Sequence, residues 1–291
     1  MANTMTADLH THSNFSDGTD TPEKLIDAAV AAGLTTIALT DHDTANGWDE
    51  IAKHIPAGMR VLPGAEFSTK HPDENGELVS VHLLGYLFDR DNPAIVAEWK
   101  RMHDERAQRG ARIVGKLIDG GFPITLERVE EIAGSANIGR PHIGKALVEV
   151  NAVKDVGEAF VDLLHDGSPY YVPLQSTSLA GGIKLINDAG GVAVIAHPRA
   201  REAAAVLTED VLASLVPLGL AGLEVNHYGH DADARAELSD IATRLGLLQT
   251  GSSDYHGTNK KDVHIGMNCT PDDVVEEIIA RGAIAPFGPA Q

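Results

Sequence analysis

Histidines and carboxylates recur at short, regular spacing in this 291-residue chain, which contains 14 histidines. Two pairs are separated by one residue: His10 and His12 in DLHTH, and Asp254 and His256 in SDYHG. In an extended chain, residues i and i+2 point to the same side, so each pair can face one ion. Five further candidates end, follow or lie within short β-rich runs: Asp17, His42, Glu66, His82 and His197.

This pattern predicts a metal centre that holds more than one ion. A lone histidine at a strand end is more often a hydrogen-bonded rim residue than a ligand, but six histidines and three carboxylates at such places are hard to attribute to chance. They are too many donors for one ion and suit two or three divalent cations that share a bridging carboxylate. A histidine-rich mixed donor set favours Mn, Fe or Zn over Mg.

The elements that must position these residues alternate between short β-rich runs and helical patterns. The predicted strands are Ala7–His10, Thr36–His42, Val61–Glu66, Val79–Tyr86, Val192–His197, Gly222–His227 and Leu247–Asp254. Such alternation predicts an α/β fold, and consecutive apolar residues, as in VAVI, are typical of parallel strands that are covered on both faces. In a parallel barrel the carboxyl ends of all strands meet on one face, where the donors would converge.

One interval, residues 92–173, contains no convincing strand. Helical patterns cover Ile95–Gly120, Leu126–Ala133, His142–Val150 and Gly157–His165. We therefore expect a mostly helical insertion that caps one mouth of an α/β body formed by residues 1–91 and 174–291.

The motifs HTHSNFSDG, TDHD, PGAE, VHLLGY, AHP and SDYHG resemble, in this order, those of the PHP (polymerase and histidinol phosphatase) superfamily. The resemblance covers residues 7–86 and 191–257 closely. The insertion, with GRPH at residues 139–142, is similar to that of small bacterial PHP phosphoesterases that act on nucleotides. The resemblance implies a distorted (β/α)7 TIM-like barrel, with the insertion over its C-terminal mouth, and a trinuclear metal centre.

Carried over to this chain, the resemblance implies three ligand sets. The first metal would take His10, His12, Glu66 and Asp254; the second would take Glu66, His82 and His197, with Glu66 bridging; the third would take Asp17, His42 and His256. Many relatives have a histidine at the position of Asp17, and a carboxylate is a harder ligand. The predicted catalytic residues are Glu66, Asp254 and His256. Asp43 and His256 are the two candidates for the acid that protonates the leaving group.

The implied activity is hydrolysis of phosphate monoesters of small nucleotides, such as nucleoside 3′,5′-bisphosphates or AMP, by attack of a metal-bridging hydroxide. The related branch can also trim short RNA from its 5′ end. Two alternatives stay open: a histidinol-phosphate phosphatase, and a non-catalytic metal-binding or polymerase-associated module. The chain contains no GxSxG elbow and no GxxxxGK[ST] phosphate loop, so neither serine-hydrolase chemistry nor that type of triphosphate binding is expected.

A phosphate substrate also needs fixed positive charge. The predicted substrate contacts are Arg106, Arg109, Arg140 and His142 in the insertion and Arg199 after AHP. For Arg106 and Arg109, as for Arg112, a solvated helix face is the alternative. Among the remaining histidines, His227 could line the pocket, and six are expected at the solvated surface: His54, His71, His103, His165, His230 and His264.

Composition excludes several partners. With 23 basic and 42 acidic residues the net charge is −19, which argues against a broad footprint on duplex DNA. The longest apolar stretch, Leu212–Val225, is too short to cross a bilayer and contains Pro217, so no membrane partner is expected. The single cysteine and an N-terminus without a signal-peptide pattern predict a cytoplasmic protein. Oligomeric state is not predictable from these features.

Overall fold

The computed structural model describes residues 6–134, 136–200 and 203–288. Within them one eight-stranded sheet is flanked by helices. The strands are β1 (Ala7–Thr11), β2 (Thr36–Leu39), β3 (Arg60–Pro72), β4 (Leu78–Tyr86), β5 (Thr177–Ser178), β6 (Val192–Ile195), β7 (Leu220–Asn226) and β8 (Leu248–Gly251). The α-helices are α1 (Pro22–Ala31), α2 (Trp48–Ile51), α3 (Pro93–Asp119), α4 (Leu126–Ala133), α5 (Arg140–Glu149), α6 (Val156–Asp162), α7 (Leu179–Asp188), α8 (Ala203–Val206), α9 (Glu209–Leu215), α10 (Ala232–Leu245) and α11 (Asp272–Arg281).

The sheet is mixed rather than parallel, so the expectation of parallel strands throughout is wrong at β4. The strand order is β1-β2-β3-β4-β6-β7-β8, with β5 paired to β3, and β4 runs antiparallel to both β3 and β6. The physical reason is the connection between β3 and β4, residues 73–77. A parallel pair needs a crossover of a dozen or more residues. Here Asp73 and Glu77 instead close a hairpin turn, in which the Asp73 N–H donates to the Glu77 carbonyl at 2.8 Å.

The sheet curls until its first and last strands come into contact. The His12 N–H donates to the Tyr255 carbonyl at 2.9 Å, and the Tyr255 N–H donates to the His10 carbonyl at 3.3 Å. These bonds join the end of β1 to the segment after β8. The curl brings the ends of strands that lie far apart in the strand order to one side of the molecule.

Both faces of the central strands are buried, as their consecutive apolar residues predict. On β2, Ile37 and Leu39 belong to the larger apolar cluster, which includes residues of the surrounding helices. Ala38, between them, belongs to a second cluster with Leu9 and Val194. Successive side chains of a strand point to opposite faces, so β2 contributes to apolar packing on each side of the sheet.

In residues 92–173 the regular elements that the structure describes are the helices α3 to α6, and these helices have an apolar cluster of their own. That cluster includes Ile113, Val129, Ile143 and Leu147 from α3, α4 and α5. The first turns of α3 pack on the body instead: the ring of Trp99 stacks on Phe67 with 4.7 Å between centroids. A helix of 27 residues is about 40 Å long, which lets α3 extend from the body into the insertion. No helix of the described residues has the length and apolar character needed to cross a bilayer.

Candidate metal centre

The structure brings all nine predicted donors together at one place. His10 lies in β1, with His12 directly after it; His42 follows β2, His197 follows β6, and Asp254 and His256 follow β8. Glu66 and His82 lie inside the β3–β4 hairpin rather than at strand ends. Three groups of donor atoms have spacing that suits an ion: His10, His12, Glu66 and Asp254; His12, Asp17, His42 and His256; and His42, Glu66 and His82.

Glu66 is the centre of the cluster, and its two carboxylate oxygens face different histidines. Oε2 lies 3.1 Å from Nε2 of both His10 and His12. Oε1 lies 2.7 Å from His82 Nδ1 and 3.2 Å from His197 Nε2. A carboxylate that offers one oxygen to each of two donor groups has the arrangement of a bridging ligand, which is the role that the family resemblance implies for Glu66.

Asp17 and His256 form one corner of the donor cluster, and Glu66 with its histidines forms the other. His256 Nε2 lies 3.2 Å from Asp17 Oδ1, and His42 Nε2 lies 3.8 Å from Asp17 Oδ2. His42 also approaches Glu66, with Nδ1 3.3 Å from Oε2. His42 therefore lies between the two corners, and His12 contributes to the Asp17 group as well as to the first set.

The donor chemistry fits divalent ions. Three buried imidazole nitrogens, His10 Nε2, His12 Nε2 and His42 Nδ1, have no hydrogen-bond partner among the described residues. Each lies 3.1–3.3 Å from Glu66 Oε2. Metal–ligand distances of about 2.0–2.2 Å at tetrahedral angles separate ligand atoms by about 3.4 Å. Unpartnered lone pairs at this spacing suit a cation better than a hydrogen-bond network.

Charge within the cluster couples metal binding to protonation. Burial would raise the pKa of Glu66, but His42, His10 and His82 outweigh it and hold that pKa well below its usual range. Burial would lower the pKa of His12, but the carboxylates of Asp254 and Glu66 raise it to about 9. Protons and metal ions therefore compete for the same nitrogens.

Two of the donors have a strained backbone. His197 has φ of 31° and Asp254 has φ of 54°, and neither is glycine. Such conformations cost about 1–3 kcal/mol each and concentrate at functional sites. At His197 the strained backbone is held by a buried partner, because its N–H donates to Glu224 Oε2 at 2.7 Å.

Glu224 contacts two of the predicted donors, and the sequence analysis missed it. It lies in β7, is fully buried, and its Oε1 lies 3.1 Å from His10 Nδ1. The Ser252 hydroxyl donates to the same oxygen. Burial would raise the pKa of Glu224, but His10 and other histidines lower it to about 2. The available signal was a glutamate within an otherwise apolar predicted strand.

Asp43, one of the two residues considered as an acid for the leaving group, is placed for a different role. Its carboxylate accepts from Arg106 and, at 2.7 Å, from the Ser68 N–H. Burial would raise the pKa of Asp43, but Arg106 and the Ser68 bond lower it. An ionised carboxylate cannot donate a proton, so Asp43 is better suited to hold Arg106 beside His42.

The arginines of the insertion that were predicted as substrate contacts differ in whether they have an acidic partner. Arg106 reaches the metal centre through Asp43. Arg109 is buried, donates to the Val172 carbonyl at 2.6 Å, and has no ion pair among the described residues. Burial and the charges of Arg140 and Arg106 lower the pKa of Arg109 to about 10. A buried cation beside two others favours an anion as partner.

The other arginines that were considered as substrate contacts already pair with acidic side chains. Arg140 pairs with Asp166 and donates to the Leu164 carbonyl at 2.8 Å. Arg199 forms two bonds of 3.0 Å to the Glu237 carboxylate. Arg112 pairs with Glu105 and is half-exposed, as the solvated alternative expects.

Three further histidines lie at the rim of the site. His142 is buried; burial lowers its pKa and the Asp17 carboxylate opposes that shift, so the insertion approaches the Asp17 corner. The expectation that His230 is solvated is wrong: it is 4% exposed, because its Nδ1 bonds the Val225 carbonyl and its Nε2 accepts from the Arg199 N–H. His227 lines a pocket beside His197 and Asp254, as considered from the sequence.

Comparisons with known proteins agree with the arrangement. The PHP domain family matches residues 8–110. The chain is 31% identical over 252 residues to a 5′-3′ exoribonuclease of Haemophilus influenzae, covering 86% of this chain and 89% of that protein. It is 33% identical over 260 residues to a 3′,5′-nucleoside bisphosphate phosphatase of Chromobacterium violaceum, covering 88% and 90%. A crystal structure of a putative metal-dependent phosphoesterase from Bifidobacterium adolescentis superposes with a TM-score of 0.88 at 37% identity, covering 95% of this chain and 96% of that one.

Proposed function

This chain belongs to the PHP domain family, and from that premise we propose that it is a metal-dependent phosphoesterase that hydrolyses phosphate monoesters of small nucleotides. The observation that carries the proposal is the convergence of six histidines and three carboxylates, with Glu66 at their centre; three buried imidazole nitrogens of this cluster have no hydrogen-bond partner among the described residues. The preferred substrate class is a nucleoside 3′,5′-bisphosphate, with AMP as the simpler substrate. The bisphosphate phosphatase of Chromobacterium violaceum supports this choice.

Two or three divalent ions would be held by His10, His12, Glu66 and Asp254, by Glu66, His82 and His197, and by Asp17, His42 and His256. When bound, such ions lower the pKa of water and neutralise charge on a phosphoryl group. Glu66 would keep the groups of donors in register, since each of its oxygens faces a different set of histidines. His256 and Asp254, after β8, complete the wall of the reaction centre.

The insertion would supply the positive charge that recognises the substrate. Residues 92–173 are proposed as a cap on the C-terminal mouth of a distorted (β/α)7 barrel made of residues 1–91 and 174–291. Contacts between the two parts support the placement of residues 92–173 over the site: Arg106 pairs with Asp43, and the Asn137 side chain donates to the Asp43 carbonyl at 3.3 Å. The buried Arg109, without an acidic partner among the described residues, is the best placed cation for a second phosphate.

A second candidate activity is removal of nucleotides from the 5′ end of short RNA. The exoribonuclease of Haemophilus influenzae supports it, and the same hydrolytic centre would serve both reactions. The histidinol-phosphate phosphatase alternative is less suited, because its substrate carries a positive amine that three neighbouring arginines would repel.

The test is phosphate release from AMP, adenosine 3′,5′-bisphosphate and histidinol phosphate by protein that has been stripped of metal and then reloaded with Mn. We expect no release without metal, restored release with it, and the highest kcat/KM for the bisphosphate. His82→Ala should lose activity and bound metal, whereas His264→Ala, at an exposed histidine, should lose neither. Unchanged activity after verified metal removal would contradict the proposal.

A further inference from the structure

A cavity of about 270 Å³ opens beside the metal centre. Its wall includes His197 and Asp254, which belong to the nine donors, and His227 and Tyr228 from the segment after β7. The volume is below the about 300–1,000 Å³ of pockets that enclose a whole small ligand. The cavity therefore suits one part of a substrate whose reacting group lies at the metal centre.

Tyr228 is the unusual residue of this cavity. The chain has 13 aromatic side chains, all within the described ranges, and Tyr228, 41% exposed, is the one that is exposed there. Its ring packs against the His227 ring with 4.3 Å between centroids. A partly exposed aromatic ring at the edge of a reaction centre offers a stacking surface for a flat ring.

The segment that carries Tyr228 is fixed before any ligand binds. Arg235 donates to the carbonyls of His227 at 2.8 Å and His230 at 3.1 Å. The buried His230 ring bonds the Val225 carbonyl at 2.9 Å. Because these bonds hold the chain on both sides of Tyr228, ligand binding would not have to order this segment.

His227 is a pocket wall rather than a metal ligand. The Gly229 N–H donates to His227 Nδ1 at 3.0 Å, so Nδ1 is the acceptor and the proton of the neutral ring lies on Nε2. Nε2 is buried, has no hydrogen-bond partner among the described residues, and lies 3.5 Å from Asp254 Oδ2. A protonated nitrogen offers no lone pair to a metal ion.

The charges around the cavity favour a base over a second phosphate. Arg199, which also lines it, is already committed to Glu237. Lys260 lies over the Tyr228 ring, with Nζ 5.5 Å from the ring centroid, and pairs with Asp254 at 2.5 Å, so a flat ligand would take the part of the ring that Lys260 leaves open. Both cations are therefore already paired with carboxylates, which favours a ring over a second phosphate as the group that this cavity takes.

We propose that this cavity is a nucleobase subsite, in which the base of the substrate stacks on Tyr228 while its phosphate lies at the metal centre. The inference rests on the proposed nucleotide phosphoesterase function and deepens it, because substrates that carry a base would bind better than those without one. Recognition through a ring face is tolerant of base identity, so purine and pyrimidine nucleotides should both bind.

The experiment measures binding and hydrolysis separately. Mn-loaded wild type, Tyr228→Ala, Tyr228→Phe and the control Leu218→Ala are compared; Leu218 is exposed like Tyr228 but lies just before the opposite end of β7. Calorimetry gives the affinity for a non-hydrolysable adenosine phosphonate and for methylphosphonate, which has no base. Phosphate release from AMP and from ribose 5-phosphate is measured on the same samples.

Tyr228→Ala should weaken the adenosine phosphonate at least about fivefold and leave methylphosphonate within about twofold. Tyr228→Phe and Leu218→Ala should bind both ligands like wild type. Equal losses on both ligands, or no loss on the nucleoside, would overturn the subsite. If wild type releases no phosphate from AMP but the base-selective loss is present, the proposed function fails and the subsite stands.

Discussion

Replacing Glu224 by glutamine should weaken metal binding, although Glu224 is not itself a predicted ligand. Its carboxylate is buried and contacts three parts of the site: His10 Nδ1 at 3.1 Å, the His197 N–H at 2.7 Å and the Ser252 hydroxyl. The partner of a ligating histidine sets which ring nitrogen carries the proton. With Glu224 ionised, His10 in its neutral, metal-binding form carries its proton on Nδ1 and directs the Nε2 lone pair at the metal donors.

Glutamine at position 224 should move the His10 proton from Nδ1 to Nε2. The His197 N–H can only donate, so the glutamine oxygen must occupy the position of Oε2 that accepts from it. The amide nitrogen then faces His10 Nδ1 and donates to it. This places the ring proton on Nε2 and removes the lone pair that points at Glu66 and Asp254. The substitution is nearly isosteric, so packing around residue 224 should change little.

The expected magnitudes follow from the contacts. Loss of the partner of a ligating histidine weakens metal binding by about 10- to 100-fold. The pKa of Glu224 is lowered from 4.5 to about 2, and a shift of that size corresponds to on the order of 3 kcal/mol of stability in the metal-free protein. Because the pKa is lowered on folding, that stability is present above about pH 4.5 and is lost as the pH falls through about 2.

The assay is competition with a chromophoric chelator for metal affinity, urea unfolding of the metal-free protein at pH 7, and nitrogen chemical shifts of His10 for the tautomer. Glu237→Gln is the matched control, because Glu237 is an exposed glutamate that pairs with Arg199 outside the donor cluster. Metal affinity within about threefold of wild type, with the His10 proton still on Nδ1, would refute the reasoning.

Three further predictions concern the donors and the insertion. Glu66→Gln should reduce turnover more than any other single ligand change, because an amide is a poorer bridge between two cations; near wild-type turnover in Glu66→Gln, with loss in His10→Ala, would show that the bridge is assigned wrongly. Arg140→Ala should keep the metals and lower kcat/KM by about 30- to 1000-fold if a phosphate displaces its partner Asp166, with Arg140→Lys recovering only part of the loss; a drop below about threefold would place Arg140 in the structure of the insertion alone. Metal affinity should rise steadily from pH 6 to pH 9, since the pKa of His12 is raised to about 9 and its proton must leave before a metal binds; calorimetric affinities that do not change over this range would contradict the competition between protons and metal.

Much of the site could be predicted because its chemistry is local in sequence. HTH and DYH follow from the i, i+2 geometry of an extended chain, and both pairs lie in the cluster around Glu66. The helices of residues 92–173 were predictable for a similar reason, since their periodicity and their ends depend on neighbouring residues. Thr125, for example, caps α4 by accepting from the Arg128 N–H at 3.2 Å.

Other features required the tertiary structure, because they depend on partners that are distant in the chain. Glu224 meets His10 across 214 residues, and no local pattern distinguishes a glutamate that orients a ligand from one that faces solvent. His230 is buried because the segment after β7 folds back on Val225 and Arg199. The antiparallel course of β4 was set by the short turn after β3, a signal that alternating strand-like runs concealed. Residue types and spacing thus identify the donors, whereas the curl of the sheet decides which of their atoms meet, which acids become ionised partners, and which aromatic ring is left exposed at the rim.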